Sequence, residues 1–282
     1  MAVAIVTDST ADIDSATASD LGVDVVPLFV SFGNKRYTDG EELTRAEFYR
    51  KLESEKHLPM TSAPSSKMFE DVFAKHVALG HEIVCVVLAA TFSGTINAAQ
   101  AAARRFPDAV IRLVDSLTVA GGLGLQVRRA AELARAGAEI KEIEQSLSHD
   151  RETQHAFATL PDLSHAVRSG RIGRPAAMLG TLMKVVPVLK IVGGIVEREA
   201  LVRTFSRAQE VMIEATLRSL TDTSAARIMV MHANVHQVAV ELVEMVKNRL
   251  SASPKFLGIS EAGPVLAVHA GAGAVGIFCA EA

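Results

Sequence analysis

The stretch IVCVVLAATFSGTINAAQAAARRF, Ile83 to Phe106, decides the fold class. The apolar run Ile83–Leu88 is too short for an ordinary helix and shows no polar alternation, so it reads as a strand buried on both faces. Ala90-Thr91-Phe92-Ser93-Gly94-Thr95 turns out of it, and an alanine-rich helix continues to about Phe106. A buried strand followed at once by a helix is the repeating unit of a parallel sheet covered by helices.

The same unit recurs on both sides. Val3–Val6 ends at Thr7-Asp8-Ser9-Thr10, whose side-chain oxygens can open a helix, and Ile111–Val114 is followed by Asp115-Ser116 as the cap of the next helix. The run Val23–Phe32 meets Gly33-Asn34 and a polar return through Tyr37, which predicts a hairpin. Thr44-Arg-Ala-Glu47 is a capping box that places Phe48 and Leu52 on one helical face. After Pro64-Ser65, Phe69, Val72, Phe73 and Val77 recur at inward helical spacing. Later the pattern changes, for Val185–Val192 and Ile195–Val202 flank Gly193-Gly194, a hairpin inside a helix-and-strand series. Helices at about 206–220 and 235–250 and strands near 227–231, 264–269 and 274–280 complete the expected plan. The expected fold is α/β in two domains: a mostly parallel α/β/α domain over residues 1–158 and a mixed-sheet α/β domain over 159–282.

Composition bounds the function. The chain's 282 residues suit two domains at roughly 100–200 residues each, and a 49% hydrophobic content is enough to build their cores. Lys and Arg number 29 against 32 Asp and Glu, a net charge of -3 that argues against broad nucleic-acid binding. Met1–Asp8 has no basic segment and meets an acid at Asp8, unlike a secretory leader, and the most apolar stretch, Ile83–Phe92, falls short of the ~18 residues of a membrane span. Cys85 and Cys279 both lie in apolar runs and read as buried thiols, so a cytoplasmic protein is expected.

Several positions could carry chemistry. Ser93 and Thr95 stand where a buried strand turns into a helix, so their hydroxyls and the helix's free N–H groups suit a carboxylate or phosphate; on spacing alone Ser93 reads equally as a helix cap. Thr61-Ser62-Ala63-Pro64-Ser65 offers further hydroxyls before a helix, and Asp8-Ser9-Thr10-Ala11-Asp12 has the same character. His269 is expected to end a strand beside Gly271-Ala-Gly273. The nine histidines show no metal-ligand spacing, and the G-x-G-x-x-G from Gly271 to Gly276 precedes a strand, so neither a metal site nor a dinucleotide site is expected. From Leu163 to Val196 the charges are Arg168, Arg171, Arg174, Lys184 and Lys190 with no acid, which points to an anionic ligand or partner. The order Ser93, Asp115, His269 also fits a serine hydrolase or esterase, although Thr91-Phe-Ser93-Gly-Thr95 lacks the glycines of a nucleophile elbow.

Taken in order, Val6-Thr-Asp-Ser-Thr10, Tyr37-Thr-Asp-Gly-Glu41, Thr61-Ser-Ala-Pro-Ser65, Phe92-Ser-Gly-Thr95, Val114-Asp-Ser116, Ser169-Gly-Arg-Ile172, Val202-Arg-Thr204 and His269-Ala-Gly-Ala-Gly273 resemble the DegV family of bacterial fatty-acid-binding proteins over essentially the whole chain. The resemblance implies a long-chain fatty acid buried between two α/β domains and no other cofactor. Its carboxylate would be held at Thr61, Ser62, Ser93, Gly94, Thr95 and His269. It further implies a non-enzymatic protein that presents the acid to a separate fatty acid kinase for acyl-phosphate formation, with Arg171 and Arg203 facing the phosphoryl group or the kinase; independently of the resemblance, a monomer is expected. Neither nucleic-acid binding nor stable membrane insertion is expected. Ala272 stands where the family commonly has proline, and Phe92 where it often has leucine. Burying a sixteen-carbon tail could supply roughly 10 kcal/mol at about 0.8 kcal/mol per methylene, before ordering costs.

Overall fold

The computed structural model describes residues 2–55, 58–161, 163–171 and 185–281. In chain order the first half runs β1 (Val3–Asp8), α1 (Ser15–Leu21), β2 (Val23–Val26), β3 (Phe29–Phe32), β4 (Lys35–Thr38), α2 (Arg45–Ser54), β5 (Met60–Ser62), α3 (Ser66–Ala78), β6 (Glu82–Val87), α4 (Thr95–Ala103), β7 (Ile111–Asp115), α5 (Gly121–Arg135) and α6 (Ile140–Thr153). The second half runs β8 (His155–Thr159), α7 (Ser164–Arg168), β9 (Val186–Val192), β10 (Ile195–Val202), α8 (Phe205–Ser219), β11 (Ala226–His232), α9 (His236–Lys247), β12 (Phe256–Glu261), α10 (Pro264–Ala270) and β13 (Val275–Glu281).

The α/β plan read from Ile83–Phe106 is the observed one. A four-stranded sheet in the order β2-β1-β6-β7 is parallel throughout. Along β6, alternate residues serve opposite faces, as strand geometry requires. Ile83, Cys85 and Val87 pack with Phe69 and Phe73 of α3 and Ala99 and Ala102 of α4. Val84 and Val86 pack with Leu123 and Val127 of α5 and Ile143 and Leu147 of α6. The second sheet is mixed, in the order β10-β9-β8-β13-β11-β12, and only its β11–β12 pair is parallel. The boundary expected near residue 158 falls inside β8, whose strand partners are both in this second sheet. Cys85 and Cys279 are buried free thiols. No helix among the described residues is long and apolar enough to cross a membrane.

Four local expectations need correction or refinement. The run Val23–Phe32 is two strands, because Pro27 between them has no N–H for a ladder; β2 joins the parallel sheet, whereas β3 pairs with β4 across the Gly33-Asn34 turn and with β5 on its other edge. Residues 264–269 form helix α10 and not a strand: Pro264 occupies the first helical position, where a missing N–H costs nothing. Asp115-Ser116 does not cap a helix, since α5 begins only at Gly121; the Asp115 carboxylate instead accepts the Ala90 and Leu117 N–H groups. Strand β12 was not anticipated, because all its residues are half-buried and no alternation marks it.

Helix α5 joins the two sheets. It packs against β1 and β6 of the first and β11 and β13 of the second. Such close packing needs glycine: a Cβ at Gly124 would sit 2.7 Å from the Ala11 carbonyl oxygen, a backbone atom that cannot swing away. Gly124→Ala would gain up to about 1 kcal/mol of helix propensity, yet the clash dominates. A net destabilisation of roughly 1–3 kcal/mol is expected, seen as a lower urea midpoint; an unchanged or raised midpoint would contradict this account.

Candidate ligand-binding site

The second sheet forms the floor of a cavity. Val196, Ile191, Ala156 and Phe278 lie side by side in one row across β10, β9, β8 and β13, with Leu189 and Ala158 in the next row. Facing residues in such a ladder share one face. Leu88, Phe92 and Val119, from the loops after β6 and β7, and Leu266 of α10 close the space above. The empty volume is about 970 Å³ including the part open to solvent, within the range of small-molecule sites.

Polar groups gather at one end. Thr61 reaches it from β5, which is held by its Thr61–Val30 pairing with β3. His269 reaches it from the last turn of α10, and Thr61 Oγ1 lies 3.0 Å from His269 Nε2. Burial, with Arg171 beside it, pushes the imidazole down to about 4, so the ring is neutral near pH 7. His269 Nδ1 has no hydrogen-bond partner among the described residues. A neutral imidazole and a threonine hydroxyl carry one polar hydrogen each, and their mutual bond uses one. When Nε2–H donates, the Thr61 hydroxyl hydrogen is left for a ligand; in the other tautomer the remaining hydrogen is on the buried Nδ1.

Ser93 also lines the cavity. The turn that carries it is pinned by the Leu88 N–H to the buried Asp8 carboxylate at 2.8 Å, and by Ala89 N–H to the Thr118 carbonyl at 2.8 Å. Ser93 Oγ accepts the Thr95 N–H at 3.3 Å and lies 2.9 Å from Thr95 Oγ1. Ser93 is thus not the N-cap that its spacing also allowed; it precedes the cap and bonds the first helical N–H. Ser62 lines the cavity beside Thr61. Gly94 is the N-cap of α4 and Thr95 is buried behind Ser93; neither is among the lining residues. Arg171 lines both this cavity and an adjoining recess that shares Thr61 and His269 and includes Arg168 and Met60, the latter 68% exposed. Arg203 is exposed between β10 and α8, outside both spaces. Arg174 and Lys184 lie outside the described residues, and Lys190 is partly neutralised by Glu197 and Glu199 at 3.8 and 3.4 Å.

The hydrolase constellation is not assembled among the described residues. His269 Nε2 is paired with Thr61, its Nδ1 has no carboxylate, and Asp115 is engaged with backbone N–H groups. What the sequence reading missed is the support of α10. Asp12 Oδ1 accepts the Gly263 N–H at 2.7 Å, and the buried Asp39 carboxyl lies beside the same helix start, its Oδ1 3.7 Å from where a Gly263 Cβ would stand. Burial raises both carboxyls, Asp39 to about 6, while the nearby Arg45 opposes the rise. Asp12 and Asp39 belong to the motifs quoted above, but a contact across some 250 residues has no local signature.

Comparison with known proteins shows the family and the fold. A protein-family model described as an uncharacterised protein of the DegV family matches residues 2–282. A DegV domain-containing protein of Deinococcus radiodurans is 35% identical over 279 residues, covering 98% of each chain. A fatty-acid-binding DegV-family protein from Thermus thermophilus superposes with a TM-score of 0.94 at 29% identity, over 100% of both chains. A stearic acid-binding protein from Eubacterium ventriosum does so with a TM-score of 0.91 at 25% identity, over 98% of this chain and 97% of the other.

The state of His269 can be read by NMR. The ligand-free imidazole is expected to stay neutral from about pH 7 down to about 5 and to titrate near 4, and a bound carboxylate beside it should raise that midpoint. A midpoint at the ordinary value of about 6.5 in the free protein would contradict the buried pairing with Thr61.

Proposed function

The chain belongs to the DegV family, and from that premise we propose that it binds a long-chain fatty acid in the cavity above β8 and β9, with the carboxylate at Thr61, Ser62, Ser93 and His269. The observation that carries the proposal is the division of the cavity: a neutral hydrogen-bonding pair, Thr61–His269, at one end and aliphatic or aromatic side chains along the rest. A fatty acid has the same division. The Thermus and Eubacterium proteins, which bind fatty acids, share the fold at this length.

The protein acts in this proposal without chemistry of its own, presenting the carboxylate to a separate fatty acid kinase for acyl-phosphate formation. The polar end adjoins the surface recess at Arg168, Arg171 and Met60, which supports access by a second protein from that side. Arg171 would face the phosphoryl group, and the exposed Arg203 would meet the kinase.

Two expected outcomes test this. Thr61→Ala combined with Ser93→Ala should weaken fatty-acid binding by at least roughly tenfold, since each hydrogen bond to a charged group contributes about 1.5–3 kcal/mol. The measurement is the lipid retained on purification, read by native mass spectrometry and extraction; unchanged lipid in the double variant would defeat the site assignment. Arg203→Glu should leave lipid content unchanged while lowering acyl-phosphate formation about tenfold in a reaction with kinase and ATP. An equal rate would remove Arg203 from the partner surface.

A further inference from the structure

The direction of one hydroxyl–hydroxyl bond decides what Ser93 can offer to the cavity. Ser93 Oγ and Thr95 Oγ1 lie 2.9 Å apart, and distance alone lets either oxygen supply the hydrogen. The two side chains differ in where they sit. Ser93 is half-buried and lines the cavity, whereas Thr95, the first residue of α4, is 0% exposed and lies behind it. Among the described residues the Thr95 hydroxyl has no other partner, and the Ser93 oxygen has only one more, the Thr95 N–H at 3.3 Å.

Two arrangements satisfy the distance. In the first, Ser93 donates to Thr95, and the Thr95 hydrogen is enclosed with no acceptor. A buried donor left without a partner forfeits its bonds to water and regains nothing. In the second, Thr95 donates to Ser93. The buried hydrogen is then satisfied, and the one left over belongs to Ser93, where a ligand or water in the cavity can accept it. Burial therefore selects the second arrangement.

That selection has a chemical consequence. A serine oxygen carries two lone pairs and one hydrogen. Here the Thr95 N–H and the Thr95 hydroxyl occupy both lone pairs, so Ser93 meets a ligand only as a donor. An ionised carboxylate only accepts, and it matches that state. A primary alcohol brings a hydrogen of its own, for which Ser93 offers no acceptor.

Resting on the fatty-acid proposal above, we infer that Thr95 is a positioning residue that makes Ser93 an obligate donor and thereby favours a carboxylate head group over an alcohol. Thr95 touches no ligand in this account; its hydroxyl acts through Ser93.

The test measures dissociation constants of hexadecanoic acid and hexadecanol on delipidated protein, by competition with a fluorescent fatty acid. The proteins are wild type, Thr95→Val, Thr95→Ser, Ser93→Ala and the double variant Ser93→Ala with Thr95→Val. Thr95→Val keeps the side-chain volume and removes the hydroxyl. It is expected to lower the preference for acid over alcohol about tenfold, because an oriented donor to a charged group is lost and the freed Ser93 lone pair accepts the alcohol hydrogen. Thr95→Ser keeps a hydroxyl and should keep the preference. Added to Ser93→Ala, the valine should change neither constant by more than about twofold.

A wild-type preference in Thr95→Val, with acid still bound, would overturn the inference and leave the fatty-acid proposal standing. An equal loss for acid and alcohol that persists in Thr95→Ser would overturn it too, since that marks a purely structural effect. So would wild type binding the alcohol as tightly as the acid. Wild type that binds neither ligand would overturn the fatty-acid proposal itself. If Thr95→Val fails to fold, Thr95→Ala takes its place under the same criteria.

Discussion

The hydrogen bond from the Gly263 N–H to the Asp12 carboxylate, 2.7 Å long and fully enclosed, is the contact on which the site depends. It joins the turn after β1, in the parallel-sheet unit, to the first peptide of α10, in the mixed-sheet unit. Ser260 adds a second tie at 2.9 Å through the Asp12 carbonyl. Asp12 reaches both because it adopts the left-handed conformation, with φ at 50°, which aspartate tolerates better than most residues. A buried N–H left without a partner would cost about 1–3 kcal/mol, so the start of α10 is fixed where the carboxylate is. His269 lies on that same short helix, and its distance to Thr61 is thereby set by an acid at the helix's other end.

The electrostatics of the polar end follow from burial. His269 is held neutral, and no carboxylate touches it among the described residues. The site thus offers hydrogen bonds from neutral groups, with the guanidinium of Arg171 nearby as a positive charge at the mouth. An anion placed there exchanges water for hydroxyl donors and does not displace a salt bridge. The apolar remainder is shaped by small side chains: Ala156 and Ala158 present only methyl groups on a sheet face otherwise lined by larger residues, and the Phe278 ring edge lies over Gly276. The two halves of the ligand proposed for this cavity have opposite demands, and the fold meets them with different elements, loops and helix ends for the head and the sheet face for the tail.

Much of the fold was legible in local sequence because its causes are local. The Thr44–Glu47 capping box forms as written, with Thr44 Oγ1 accepting the Glu47 N–H and Glu47 accepting the Thr44 N–H. Gly193-Gly194 turns a hairpin because both residues take positive φ, at 56° and 78°. The α10 segment was misread because Val265–Val268 is apolar on every side, and periodicity cannot distinguish a buried strand from a short buried helix. Pro264 was the one local sign, and its weight became clear only with Asp12 and Asp39 at the helix start.

The sequence by itself determined the α/β class, the place of Ser93 at the end of a buried strand and the candidate hydroxyls at Thr61 and Ser62, since strand length, caps and turn residues act within a few positions. Only the tertiary structure decided that Thr61 meets His269 and that Asp12 holds the start of α10 with Asp39 beside it. Each of these pairs is separated by between 208 and 251 residues, Asp39 being 224 residues from Gly263. Close packing and hydrogen-bond pairing bring such residues together, and neither leaves a periodic trace in the chain.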